Sequence, residues 1–175
     1  MTARDALLAV ATLLAPDAPE VATLAAAAHD DQEAFLQAHA DRLDERGIDE
    51  PFDLLPWIAL VNALADQGLL AEVDWKEAPD EITGRLRGLR SAPIADDVWT
   101  PAGSELPTYD FLEEAGTRLH RAETALAVFD IESDCYPLVL LPADHGADLV
   151  RLAAEAGFTA EVLDNAAGTP ESDLP

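Results

Sequence analysis

The sequence predicts an α+β protein, with an N-terminal helical layer followed by a βαββαβ sheet of ferredoxin-like order carrying its helices on one face. Two patterns and the chain length support this. Up to Gln67 the apolar residues recur at helical spacing between proline and glycine breaks. From Leu69 onward, short strand-like runs alternate with amphipathic stretches in the order strand, helix, strand, strand, helix, strand. A chain of 175 residues, 49% of them hydrophobic, is long enough for one core and short for two. Residues 1–164 therefore read as one domain, helical over 1–68 and sheet-containing over 69–164, and 165–175 as a disordered tail of small, polar and proline residues.

The first helix runs over residues 2–14. Leu7, Val10, Ala11 and Leu14 form its stripe, and Pro16 ends it. Arg4 followed by apolar residues imitates a signal segment, but Asp5 lies inside the charged part and the apolar run is short. Further helices are expected over 20–28 and 30–46, the latter closed by Gly47 as a C′ glycine. An amphipathic central helix begins near Leu54 or Pro56, buries Trp57, Leu60, Val61 and Leu64, and stops at Gly68.

LLAEVDWK then reads as a strand, and PDEITGRLRGLR as a helix with Pro79 in its first turn. SAPIADDVWTPAGSELPTYD is a long loop, a common place for a binding surface. Thr108 is the expected N-cap of a helix through FLEEAGTRLHRA. ALAVFDI and YPLVLLP, separated by ESDC, form an antiparallel hairpin. A helix over 147–156 closed by Gly157 and the strand FTAEVLD complete the series.

Charge narrows the classes of partner. Asp and Glu outnumber Lys and Arg 35 to 10, for a net charge of −25. Such a surface repels nucleic acid and anionic lipid, so a basic protein partner is expected, with no nucleic acid and no membrane. A compositional bias of the genome or a high-salt cytoplasm is the plain alternative source of the charge. The lone cysteine, Cys135, allows no internal disulfide and no cysteine zinc site, which fits a reducing cytoplasm.

Two stretches, LLPWIALVNALADQGLLAEVDWKEAPDEITGRL and LHRAETALAVFDIESDCYPLVLLP, carry a family resemblance. The chain resembles an uncharacterised bacterial domain-of-unknown-function family. In that family an Asp-Trp-Lys triplet follows a helix and glycine, and an Asp-x-x-Ser-Asp-x-Tyr stretch follows a strand. The matching positions are Asp74, Trp75 and Lys76, then Asp130, Ser133, Asp134 and Tyr136. The resemblance implies a cytoplasmic bacterial protein and brings no assigned activity.

Candidate chemistry gathers at the same places. If FDIESD is extended, Asp130, Glu132 and Asp134 share one strand face, and a divalent cation such as Mg²⁺ or Ca²⁺ would relieve their repulsion. The plain alternative is an acidic turn with Asp134 bonded to local N–H groups, leaving only Asp130 in the strand. Asp74 and Lys76, alternating on a strand, echo the core of a metal-dependent nuclease, although the net charge argues against holding a phosphate backbone. Arg85, Arg87 and Arg90 with Arg118 and Arg121 could form an anion site or simply complement helix C-termini. Cys135 stands beside the turn as a candidate thiol with no base next to it in sequence.

The leading expectation is a non-enzymatic, cytoplasmic protein-binding module, of which an immunity or inhibitor protein is one form. Its surface would comprise Asp74, Trp75, Lys76, Trp99, Asp130, Ser133, Asp134 and Tyr136. No cofactor is predicted on this reading. The alternative is a metal-dependent hydrolase or metal-binding protein using Asp74, Asp130, Glu132 and Asp134, with a divalent metal held where the first two strands lie side by side. A structural or oligomeric role is a third reading.

Overall fold

The computed structural model describes residues 1–99 and 106–164. The expected tail over 165–175 lies outside the described residues. Helix α1, Ala3–Leu14, opens on a capping box: the Thr2 hydroxyl accepts the Asp5 N–H, and the Asp5 carboxylate accepts the Thr2 N–H. The aspartate that disturbed the signal-like pattern is thus part of a helix start.

Helix α2 is Pro19–Asp30. The single helix expected over 30–46 is instead two, α3 at Gln32–Ala38 and α4 at Ala40–Asp44, broken at His39 with φ −124° and ψ 24°. On one straight helix Phe35 and Leu43 would point about 80° apart. The break lets both bury their side chains in the same core.

Helix α5, Leu55–Asp66, is buried at every position from Leu55 to Leu64. A helix so enclosed is the centre of its layer, with α1 and α2 against it and strand β1, Leu70–Asp74, following directly. The helix-ending glycines Gly47, Gly68 and Gly157 all take positive φ, at 70°, 67° and 88°.

After β1 come α6, Pro79–Arg87, and α7, Thr108–Arg121, with a 3-10 turn at Asp97–Trp99 between them. Pro107 occupies the cap position expected for Thr108. Strand β2, Thr124–Phe129, and strand β3, Cys135–Pro142, form the expected antiparallel hairpin. Helix α8, Gly146–Ala156, and strand β4, Ala160–Val162, follow.

The molecule is α+β, and its elements follow the βαββαβ order. The sheet, however, is not ferredoxin-like. Its strand order is β1-β3-β2-β4, all antiparallel, so the hairpin occupies the centre and β4 pairs with β2 instead of β1. This one difference moves a helix across the sheet. β1 and β2 run parallel with β3 between them, and β3 and β4 run parallel with β2 between them. Both crossovers shift in the same direction across the sheet while their strands point opposite ways. Right-handed connections then require helices on opposite faces.

Burial agrees with that requirement and corrects the expectation of helices on one face. Ala125, Ala127, Phe129, Val139 and Leu141 pack with α1, α2, α5 and α8. Their strand neighbours Leu126, Val128, Leu138 and Leu140 pack on the other side with α6, α7 and Trp99.

Two contacts tie the layers together. Trp57 of α5 stacks on Phe129 and on Phe158, at centroid distances of 4.5 and 4.8 Å. Gly116 of α7 lies directly against the backbone after β4, where a Cβ would overlap the Leu163 carbonyl oxygen. Leu163 donates its N–H to Leu126 at 2.8 Å, so its backbone position is set by the sheet. Among the described residues, no helix is long and apolar enough to cross a membrane.

Candidate functional site

The β2–β3 ladder ends at the pair Val128–Leu138. The next residue of β3 is Pro137, which has no N–H to continue a ladder. Beyond it the two strands are drawn apart by different neighbours. Asp130 gives its N–H to the Thr159 carbonyl at 3.0 Å, towards β4. Cys135 pairs with Asp74, and Asp134 accepts the Trp75 N–H at 3.1 Å, towards β1. A cleft of about 210 Å³ opens between them, lined by Tyr109, Asp130, Ser133, Tyr136, Thr159 and Glu161 over Val128 and Phe129.

The hairpin tip is a turn and not an extended strand. Asp130 Oδ1 accepts the Glu132 N–H at 2.8 Å, Glu132 has φ 54°, and Ser133 Oγ accepts the Cys135 N–H at 3.2 Å. The expected shared face of Asp130, Glu132 and Asp134 therefore does not form. Asp130 and Ser133 make the local side-chain bonds that the sequence reading placed on Asp134, whose carbonyl holds Trp75.

Asp74 and Asp130 do not meet either. The expectation that β1 and β2 lie side by side is corrected by β3 between them, which puts the strands roughly 10 Å apart. Each carboxylate also serves its own turn: Asp74 Oδ1 accepts the Lys76 N–H at 2.8 Å. Strand β1 ends at Asp74, so Asp74 and Lys76 do not alternate on a strand as the nuclease pattern needs. Instead the Lys76 ammonium sits over the Trp75 ring, 4.2 Å from its centroid. Among the described residues, no three His, Cys, Asp or Glu side chains gather in a group that could hold a metal ion. The metal-dependent alternative lacks the geometry it requires.

The three tryptophans part company. Trp57 is fully buried and Trp99 is 9% exposed, whereas Trp75 is 49% exposed. Trp99 is thus a core residue and not the loop aromatic expected to meet a partner. It packs with Ile82, Leu86 and Phe111, because α6 and α7 need a large apolar side chain between them on that face of the sheet.

The five arginines likewise do not pool into one anion site, although Arg118 and Arg121 line one surface cavity with Asp97 and Val98. Arg85 pairs with Glu77, Arg87 with Asp96 and Arg118 with Glu114, while Arg90 reaches the Gln67 carbonyl. Of the predicted surface, Asp74, Trp75, Lys76, Asp130, Ser133, Asp134 and Tyr136 share one end of the sheet, through the Trp75–Asp134 bond and the cleft beside it.

Electrostatics at this end are acidic. Burial pushes the Cys135 thiol up, and the charges of Glu72 and Asp74 add to that against the opposing pull of Arg46. The thiol is therefore poorly placed as a nucleophile. Tyr109 donates its hydroxyl to Glu161 Oε2 at 3.1 Å, and its phenol is pushed up to about 12, first by burial and then by the Glu161 charge. Sequence reasoning missed Tyr109, Thr159 and Glu161. They come from a helix start, a loop and an edge strand, and no local motif connects them.

A family model described as a domain of unknown function (DUF6630) matches residues 6–163. No curated protein and no solved structure matches the chain.

Proposed function

The chain belongs to the DUF6630 family of domains of unknown function, and for it we propose a non-enzymatic role as a protein-binding module that receives a basic partner on the end of the sheet bearing Trp75. The observation that carries this reading is the exposure of Trp75, 49% open beside the acidic hairpin tip while the other two tryptophans are packed in cores. Tryptophan is the residue type most concentrated among interface anchors, and here it follows Asp74 and is bonded through its backbone to Asp134, with the Lys76 ammonium over its ring. A net charge of −25 would speed the approach of a basic protein in a salt-dependent way. An immunity or inhibitor protein is one concrete form of such a module. The free, partly buried Cys135 accords with a reducing cytoplasm.

The test is capture from native lysate with the wild-type chain, followed by calorimetry with the purified partner. A basic partner whose affinity falls with salt, and falls about tenfold or more on Trp75→Ala, is expected. Equal affinity for wild type and Trp75→Ala removes the reading.

A further inference from the structure

We propose that the cleft between the hairpin tip and β4 is an anchor pocket for an arginine side chain presented by that basic partner, with Tyr109, Tyr136, Asp130 and Glu161 as its recognising groups. This deepens the protein-binding reading and rests on it. The cleft joins two aromatic rings, 5.9 Å apart and inclined at 56°, to two carboxylates from opposite walls. Among the described residues, no Lys, Arg or His lines it. Among the described residues the carboxylates are only half engaged: Asp130 uses Oδ1 for the Glu132 N–H, and Glu161 uses Oε2 for the Tyr109 hydroxyl. Each keeps a second oxygen for an incoming donor.

Ring faces and carboxylate oxygens together favour a cation. A guanidinium suits this mixture better than an ammonium, because it is planar enough to lie on a tyrosine ring and carries several forked N–H donors. The cleft, at about 210 Å³, is smaller than the roughly 300–1,000 Å³ of a typical small-molecule pocket, which fits a single inserted side chain.

The pocket is tested by nuclear magnetic resonance titration of the full chain with N-acetyl-arginine amide at low salt. Saturable shifts centred on Tyr109, Tyr136, Ser133 and Glu161 are expected, with the lysine analogue weaker. Glu161→Gln and Asp130→Asn should each weaken binding about fivefold or more. Both keep an oxygen for the Tyr109 and Glu132 hydrogen bonds, so the local fold is preserved. Asp144→Asn, which removes the same charge beyond the far end of β3, should leave binding unchanged.

Shifts scattered over the acidic surface, or equal weakening by all three substitutions, would overturn the pocket. Neither result bears on Trp75, which lies outside the cleft lining and is judged by its own alanine substitution. Conversely, an unchanged partner affinity in Trp75→Ala overturns the wider surface while the arginine titration still decides the pocket.

Discussion

The main-chain N–H of Trp75 donates to the carbonyl oxygen of Asp134 at 3.1 Å, extending the β1–β3 ladder by one bond and fastening the turn after β1 to the hairpin tip. Because the bond is made by backbone atoms, the indole is left free to face solvent. Trp75→Ala should therefore cost less than about 1 kcal/mol, chiefly the exposed contact with Lys76. Trp57→Ala, which empties the stack against Phe129 and Phe158, should cost about 3–5 kcal/mol. Urea unfolding of the two variants measures the contrast, and similar losses would count against the assignment of Trp75 to a surface role.

Gly116 is the point where α7 touches the chain leaving β4. A methyl group there meets the Leu163 carbonyl, on a residue that is tied to the sheet by its N–H bond to the Leu126 carbonyl. Gly116→Ala should lower stability by about 1–3 kcal/mol or more, despite the better helix propensity of alanine. Gly84, in the exposed part of α6 with nothing within reach of a Cβ, is the control, and Gly84→Ala should be neutral or stabilising.

Arg46 joins three parts of the fold. Its guanidinium donates to Asn62 Oδ1 of α5 at 2.9 and 2.7 Å and pairs with Glu72 of β1, both ends being mostly shielded from water. Arg46→Ala leaves Asn62 and Glu72 without that donor and should cost about 1–3 kcal/mol, discounted for partial exposure. A double-mutant cycle with Glu72→Gln measures the coupling, which should be clearly non-zero.

The Arg4–Asp30 pair ties the start of α1 to the end of α2 through two hydrogen bonds of 2.7 Å. The Arg4 hydrogen bond is the main reason the Asp30 carboxyl titrates at about 2. A depressed folded pKa means that this stabilisation is complete above the ordinary carboxylate value near 4 and is lost as pH falls through about 2. The stability difference between wild type and Arg4→Ala should thus shrink from pH 4 to pH 2. Carboxyl carbon shifts should show Asp30 titrating higher in the variant.

Much of the fold was legible along the chain. Helix starts and stops at Gly47, Gly68 and Gly157, the proline-led α5 and α6, and the hairpin all depend on residues close together in sequence. A further signal was present in the unbroken apolar runs of β2 and β3. Strands covered on one side alternate, whereas TALAVF is buried at every position, as a strand covered on both sides requires. For the site, the turn between β2 and β3 was identifiable, but the bonds that close it fall to Asp130 and Ser133 and not to Asp134. Yet Trp99 could not be told from Trp75 by composition, since both stand among small and acidic residues.

By itself the sequence determined most of the elements, their order, the acidic character and the presence of a turn between β2 and β3, because each follows from backbone preference or charge within a few residues. Only the tertiary structure decided which edge of the three strands β1, β3 and β2 receives β4. The order βαββαβ permits either edge, and right-handed crossovers are compatible with both. Pairing with β2 placed α8 opposite α7 and brought Glu161 to Tyr109, while the pairing of β1 with β3 set β3 between Asp74 and Asp130. A metal centre imagined between the first two strands was thereby separated, and the acidic, aromatic cleft beside β4 was formed.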